Sequence, residues 1–276
     1  MEFIIHFVLY AAYASVIALA IALAATHIVL LPSNDRDWSP DQAVLSSADI
    51  HGDLITIHNI RNFTYASTTN YTARYYDKTF DLKALRMVWY IVVPFVGIPG
   101  SAHTFLSFEF EGNQFLSISV EIRKQKGEMF SPVSGLFNQY EIMYVIADER
   151  DIVKLRTDYR KELVYMYPVR ASAEKMQAVF LDMLKHANRL TAHPEFYNTI
   201  TNTCTTNIVR HVNKISPKKI PWNWKILFPA KSDEFAYDLG MIDTDLTFAE
   251  ARQKFFINDK AMKYADDADF SVKIRE

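Results

Sequence analysis

The sequence is poor in the residues that define several common functional sites. It has one cysteine, Cys204, so no disulfide can form within the chain, and cysteine usage does not fix the redox compartment. It has only seven glycines, and it contains no Walker-type loop and no GxGxxG, HExxH or CxxC motif. These absences argue against a nucleotide-binding glycine loop and the common zinc motifs, and we predict that the protein uses no cofactor and no metal.

Charge of one sign is also scarce. The chain has 30 basic and 32 acidic residues, a formal net charge of -2, and neither sign forms a long run. A protein that binds nucleic acid usually carries a basic stripe. We therefore expect no nucleic-acid partner.

The first 32 residues contain almost no charge. Between residues 3 and 32 there is no Lys, Arg, Asp or Glu. About 20 apolar residues suffice for a helix to cross a bilayer, so the sequence predicts a transmembrane anchor over residues 1–32. A cleaved signal peptide is the alternative, with a small-residue site at 22–24, but a basic start is missing and apolar residues continue to Leu31.

The rest of the chain predicts one α+β domain with an antiparallel sheet packed on helices. Residues 33–45 are polar and predict a linker, followed by the domain over residues 46–276. Alternating or buried strand patterns occupy residues 53–63, 86–96, 102–110, 115–125, 139–147 and 164–169. Residues 172–190 predict an amphipathic helix with Ser172 as N-cap, and another helix is predicted to begin at Cys204 and to end before Pro217.

Cys204 lies in a polar cluster of Asn and Thr just before an amphipathic stretch. Either Asn202 or Thr203 can cap a helix that begins at Cys204. A thiol in the first helical turn meets the positive end of the helix dipole, which favours the reactive thiolate. The alternative is a buried, unreactive cysteine, which is common in proteins.

A nucleophilic cysteine usually needs a base, and histidine suits neutral pH. His211 follows Cys204 by seven residues, a rise of roughly 10.5 Å along a helix, which is too far for a hydrogen bond. His58 lies on a predicted strand and is a possible base. His103 is the preferred candidate because it opens a strand that has a polar face.

The strand that begins at His103 is predicted to pair with the next strand in a hairpin. Their apolar residues share one side of the sheet only if the loop has an odd number of residues. A loop of three residues, 111–113, pairs residue 110 with 114 and therefore His103 with Glu121. A carboxylate opposite a histidine can fix its tautomer, although both residues could also lie on a strand face that is exposed to solvent.

The order of these residues is a histidine strand, an acidic strand and a later cysteine helix. This order is typical of the permuted papain-like group, which includes the lecithin retinol acyltransferase type. The segments "DWSPDQ", "AHTFLSFEF", "ISVEIRKQKGE", "YEIMYVIADERD", "PEFYNTITNTCTTNIVRHVN" and "KILFPAKSDEFAYDLGMID" also resemble the Lnb-type periplasmic domain of Gram-negative bacteria, over roughly residues 37–245. The resemblance implies a circularly permuted papain-like (NlpC-type) core.

The best-understood relatives of this domain are lipoprotein N-acyltransferases. They use a cysteine and a histidine to move an acyl chain from a phospholipid to the amino terminus of a lipoprotein. The resemblance implies Cys204 as nucleophile and His103 as base, and the hairpin register adds Glu121 as the third member. We therefore expect a single-pass inner-membrane thiol acyltransferase with its domain in the periplasm. Its expected partners are a phospholipid acyl donor, a lipoprotein acceptor and the membrane.

Two other functions fit the same residues. The protein could be a cysteine amidase or peptidase that acts on cell-wall peptides, or a binding domain without catalysis in which Cys204 is only buried. A lipid substrate predicts an apolar tunnel near Cys204, whereas a glycopeptide predicts a polar groove. The acyltransferases resembled here carry a further membrane region after the domain, and residues after 32 contain no comparable run, so lipid access would rest on the N-terminal helix and on aromatics such as Trp222 and Trp224.

Overall fold

A computed structural model describes the backbone of residues 2–276 and the side chains of residues 4–18, 20, 21 and 30–276. The helices are α1 (Glu2–Val29), α2 (Glu149–Lys154), α3 (Ala173–Ala192), α4 (Cys204–Ile215), α5 (Trp224–Leu227), α6 (Ser232–Asp238), α7 (Phe248–Lys254), α8 (Asn258–Lys263) and α9 (Phe270–Lys273). The strands are β1 (Ser47–His51), β2 (Leu54–Arg61), β3 (Thr64–Tyr65), β4 (Tyr71–Thr72), β5 (Tyr75–Asp81), β6 (Leu85–Pro94), β7 (Ala102–Phe110), β8 (Gln114–Arg123), β9 (Glu141–Ala147) and β10 (Tyr165–Pro168).

Helix α1 covers most of the predicted anchor. Among the described residues, no helix has both the length and the hydropathy of a membrane span. The anchor and its single pass therefore stay predictions. The possible cleavage site at 22–24 lies outside the described side chains.

The main sheet has eight strands within residues 2–276, in the order β1-β2-β9-β8-β7-β6-β10 with β5 added beside β2. Its pairings are antiparallel, apart from a short parallel contact between Arg61 on β2 and Ala147 on β9. Helices pack on the sheet, so the predicted α+β class is confirmed. The papain-like permutation stays a prediction.

The sheet is covered on both faces. On the front face, alternate β7 residues such as Leu106 and Phe108 pack against α3 and α4 through Phe180 and Ile208. On the back face, Phe105 joins a second cluster with side chains of α2, α8 and α9, including Ile152, Ala261 and Phe270. Because side chains alternate along a strand, neighbouring residues of β7 lie on opposite faces of the sheet.

The predicted hairpin between β7 and β8 is confirmed. Phe110 pairs with Gln114, and the register continues without a shift to Leu106 and Ile118. The loop residues Gly112 and Asn113 have φ angles of 71° and 54°, the left-handed region that glycine and asparagine adopt most readily. These two residue types therefore set the turn that fixes which residues of β7 and β8 are neighbours.

The first residues of the predicted linker are bonded to the domain. The Ser33 N–H donates to Glu141 Oε1 at 3.1 Å, and Arg36 Nε lies 2.7 Å from the same oxygen. The Arg123 guanidinium donates to Asn34 Oδ1 at 2.8 Å and lies over the Trp38 ring. The chain therefore joins the domain beside the end of β8 and the start of β9.

Candidate functional site

Cys204 is the first residue of α4, and Thr203 is its N-cap, so the predicted helix start is confirmed. The Thr203 side chain accepts a hydrogen bond from the Thr206 N–H at 3.2 Å, and the Thr203 N–H donates to Thr206 Oγ1 at 2.7 Å. This reciprocal capping box satisfies two backbone groups at the helix start. Cys204 is buried, with 8% of its surface exposed, and belongs to the front-face cluster.

A pair of threonines fixes the first turn of α4 on the sheet. Cys204 Sγ lies 3.8 Å from Thr205 Oγ1. Thr205 Oγ1 lies 2.9 Å from Thr104 Oγ1 on β7, and both hydroxyls are buried. The thiol is therefore held above the front face, beside the start of β7.

His103, Ser119 and Glu121 form a hydrogen-bonded relay on the back face. His103 Nε2 lies 2.7 Å from Ser119 Oγ, and the Ser119 hydroxyl donates to Glu121 Oε1 at 2.9 Å. A hydroxyl has one proton, so Ser119 accepts from the Nε2–H of His103. The relay fixes the tautomer of the imidazole and leaves its Nδ1 as the acceptor nitrogen.

A buried arginine, Arg156, affects the protonation states of His103 and Glu121 in this relay. Arg156 Nη2 lies 3.2 Å from Glu121 Oε1, and its guanidinium lies over the Phe105 ring. Burial, and then the positive charge of Arg156, lower the pKa of His103 to about 3. Burial acts to raise the pKa of Glu121, but the positive charges of Arg156 and Arg61 and the hydrogen bond from Ser119 outweigh it and lower that pKa to about 2. At neutral pH the imidazole is therefore neutral and the carboxylate ionised.

The structure does not bring His103 and Cys204 together. Thr104 faces α4, and its neighbour His103 points to the other side of the sheet, where it stacks on Phe105. The predicted hydrogen bond between the thiol and the imidazole is therefore wrong for this arrangement. The predicted proximity of His103 and Glu121 is confirmed, with 3.7 Å between Nε2 and Oε1. The catalytic role of each of these residues stays a prediction.

An apolar cavity of about 290 Å³ lies on the front face and follows α4 from Thr205 to Ile215, and Cys204 is not among its lining residues. Thr205 and Ile208 line it from α4, and Tyr90 and Leu106 line it from the sheet. Further apolar walls come from Val88, Met176, Val179, Val209, Val212, Ile215, Ile226, Phe235, Met241 and Ile242. The basic side chains of its lining are Arg170, Lys175, Lys218 and Lys219.

The model of one protein family, the Lnb N-terminal periplasmic domain, matches residues 71–230. This chain belongs to that family. The matched residues make up more than half of the chain and include His103, Glu121 and Cys204, so the resemblance seen in the sequence is confirmed and the domain is periplasmic. No curated protein and no solved structure matches the chain.

Sequence reasoning missed two residues of this part of the Lnb-type domain, Ser119 in the relay and Arg156 beside it. Alternation along β8 puts Ser119 on the same face as Glu121, but a serine on a strand carries no specific signal for a role. Arg156 lies in the short segment "LRT" after α2, far from β8 in sequence. A sequence pattern cannot show that these elements meet.

A second buried ion pair adjoins the back face of the Lnb-type domain. Arg61 donates through two nitrogens to the two carboxylate oxygens of Asp151, each at 2.9 Å. The Phe63 N–H and the Tyr65 hydroxyl donate to the same carboxylate at 2.8 Å. The buried Asp151 carboxylate therefore accepts four hydrogen bonds. We interpret this arrangement as a structural ion pair.

His211 belongs to a separate polar cluster on the front face. Its Nδ1 lies 2.8 Å from Asp182 Oδ2 and its Nε2 lies 2.6 Å from the Tyr144 hydroxyl, which is 3.3 Å from Asn207 Oδ1. Burial lowers the pKa of His211 to about 4, although the hydrogen bond to Asp182 acts in the opposite direction. Both ring nitrogens have partners other than Cys204, as its distance along the helix predicts.

Proposed function

We propose that this Lnb-type chain is a membrane-anchored thiol acyltransferase that moves an acyl chain from a phospholipid to the amino terminus of a lipoprotein. Cys204 is the proposed nucleophile. The observation that carries the proposal is the apolar cavity along α4, whose lining begins at Thr205, the residue after Cys204. A lipid substrate predicts such a cavity near the thiol, whereas a cell-wall glycopeptide predicts a polar groove.

The lining of the cavity supports an acyl donor. Its size is close to the lower end of the range of small-molecule pockets, roughly 300–1,000 Å³, and its walls are mainly aliphatic and aromatic. Lys175, Lys218 and Lys219 are exposed side chains of the same lining. Apolar walls complement the acyl chain of a phospholipid, and the lysines beside them complement its anionic phosphate head group.

The proposed reaction has two halves. The Cys204 thiolate attacks the ester carbonyl, the carbon–oxygen ester bond breaks, and the departing lysophospholipid oxygen takes a proton. The lipoprotein amine then attacks the thioester, the carbon–sulfur bond breaks, and an amide and a free thiol result. The capping box occupies the Thr206 N–H, which leaves the N–H groups of Cys204 and Thr205 at the helix start to stabilise the oxyanion of each half.

His103 keeps its proposed role as base, which rests on the family resemblance. Its Nδ1 is free to accept a proton, but a pKa of about 3 makes the imidazole a weak base in this arrangement, and it lies across the sheet from Cys204. Direct proton transfer would therefore require the start of β7 or of α4 to move. The activity of a variant that lacks the imidazole can show whether His103 acts as a base or has only a structural role.

The test is transfer of a labelled acyl chain from phospholipid to a diacylated lipopeptide, with the acyl-enzyme followed by mass spectrometry. The wild-type chain should form one acyl adduct on Cys204. Cys204→Ser should abolish the adduct and the transfer without unfolding the protein, because a hydroxyl is a much weaker nucleophile. His103→Ala should reduce both by about 10²–10⁴-fold if the imidazole is the base.

Two further measurements sharpen this test. Val212 lines the cavity, so Val212→Trp should narrow it and favour donors with shorter acyl chains. Because Cys204 is the only cysteine, an alkylating reagent modifies one site and provides an independent block. The proposal is wrong if the wild type forms no acyl-enzyme, and Cys204-dependent cleavage of peptidoglycan fragments would establish the amidase instead.

A further inference from the structure

Large apolar side chains are exposed on two neighbouring segments of the domain. The loop between β6 and β7 exposes Val96 and Ile98, and the segment around α5 exposes Trp222, Trp224 and Phe228. Val96 and Trp222 are the most exposed, at 81% and 77%. We call these five side chains the aromatic surface.

Direct contacts join the two segments. The Phe228 ring covers Gly100, where an added Cβ would lie only 2.8 Å from Cδ1 of the ring. The Ala230 N–H donates to the Gly100 carbonyl at 3.0 Å, and the rings of Trp224 and Phe228 are in edge contact at 5.9 Å. The aromatic surface is therefore one patch of the folded domain.

The aromatic surface lies at the end of the sheet where the N-terminal segment joins the domain. The loop 95–101 connects Pro94 with Ala102, which are paired at this end of β6 and β7. In the same antiparallel sheet, Arg123 and Glu141 are paired at the same end of β8 and β9, and Ser33 is bonded to Glu141. The segment that follows the apolar helix α1 therefore joins the domain at the same end of the sheet as the aromatic surface.

Basic residues surround the aromatic side chains. Residues 218–231, "KKIPWNWKILFPAK", contain four lysines and no acidic residue, and the loop 95–101 is uncharged. Lys225 is paired with Glu234 and Asp238, and Lys231 lies 3.9 Å from Glu234, so the basic charge available to a partner is that of Lys218 and Lys219, which are exposed beside the cavity. Ile220 and Ile226 of the same segment line that cavity. The segment therefore presents indole rings and ammonium groups outward and closes an apolar cavity behind them.

We propose that the aromatic surface docks on an anionic phospholipid bilayer. Indole and other apolar side chains are favoured at the boundary between head groups and acyl chains, and each nearby lysine is attracted by anionic lipids. The charge of the segment and its position beside the N-terminal segment select a bilayer as the occupant over an uncharged protein face. Docking there places the cavity beside the lipid phase, and it does not depend on acyl transfer.

The full-length chain in phospholipid vesicles with brominated acyl chains tests this proposal. Bromine quenches indole fluorescence on close contact, and the chain has four tryptophans. A Trp38→Phe/Trp89→Phe variant keeps only the indoles of the aromatic surface and should be strongly quenched. A Trp222→Phe/Trp224→Phe variant keeps only Trp38 and Trp89, which are buried or half-buried, and should lose the quenching.

Charge variants and Cys204→Ser complete the test. In vesicles that contain phosphatidylglycerol, Lys218→Glu/Lys219→Glu should reduce quenching, whereas Lys254→Glu/Lys263→Glu makes the same charge change elsewhere and should not. Cys204→Ser should be quenched like the wild type, so a failed acyltransferase assay leaves this test intact. Absence of quenching in the Trp38→Phe/Trp89→Phe variant overturns the proposal. Blue-shifted emission that accompanies dimerisation and is unaffected by bromine also overturns it, because the indoles are then buried between two copies of the chain.

Discussion

Two serines on β8 occupy similar places but have different surroundings. Ser117 and Ser119 lie two residues apart on the back face, and both are fully buried. Ser119 connects His103 with Glu121, whereas the Ser117 hydroxyl has no hydrogen-bond partner among the described residues. A buried polar group that loses its partner costs free energy, whereas removing an unpaired hydroxyl does not.

We expect Ser119→Ala to lower the free energy of unfolding by about 1–3 kcal/mol, because the Nε2–H of His103 then has no acceptor. Ser117→Ala is the matched control and should change stability by less than about 0.5 kcal/mol or increase it. Urea unfolding of the full-length chain in detergent measures both. Equal losses in the two variants would show that the relay contributes no stability.

The pairing within the relay could be predicted from individual residues. Alternation placed His103 and Glu121 on one face, and the three-residue loop gave their register. The role of Ser119 could not be predicted in this way, since it depends on a side-chain rotamer. The contribution of Arg156 depends on how the turn after α2 packs, and no local pattern carries that information.

At the scale of elements, the start of α4 is the best determined feature of the candidate site. Thr203 and Thr206 form a full capping box. Thr247 and Glu250 form another at the start of α7, away from Cys204 in sequence. The two boxes use the same kind of bonds, so they allow a matched comparison.

We expect Thr203→Ala and Thr247→Ala each to cost about 1 kcal/mol of stability, because each removes an N-cap side chain. Only Thr203→Ala should also slow formation of the acyl-enzyme, since Thr203 holds the first turn that carries Cys204. Thermal unfolding and adduct mass spectrometry measure the two effects separately. A similar loss of adduct in both variants would assign the effect to stability alone.

The face on which α4 packs could not be predicted from the pattern of β7 and β8. The alternation suggested an apolar core face and a polar face open to a site, with His103 beside the thiol. The polar face is buried too, as Ser107, Ser117 and Ser119 show, and every residue of β9 is buried. When both faces of a sheet are covered, alternation tells which residues share a face but not which helix covers it.

At the scale of the whole molecule, the predicted anchor gives a simple expectation for fractionation. The full-length chain should stay with membranes at high salt, because a spanning helix is held by apolar burial that salt does not weaken. A chain that begins at Ser33 keeps the aromatic surface and its lysines, whose attraction to anionic lipid is screened by salt. That shorter chain should therefore wash off the membrane as the salt concentration rises. Release of the full-length chain by salt alone would contradict the anchor.

The bond between Ser33 and Glu141 has a consequence for how the domain finds its partners. Only residues 30–32 separate the end of α1 from Ser33, which is bonded to β9, and three extended residues span at most about 10 Å. If α1 spans a bilayer, this short linker keeps the domain close to the membrane surface and prevents it from rotating freely. Its search is then lateral, in the plane of the lipids. In the proposed acyl transfer, a membrane-bound acceptor would reach the domain by diffusing along the same surface, so the encounter rate would depend on the number of acceptors per area of membrane.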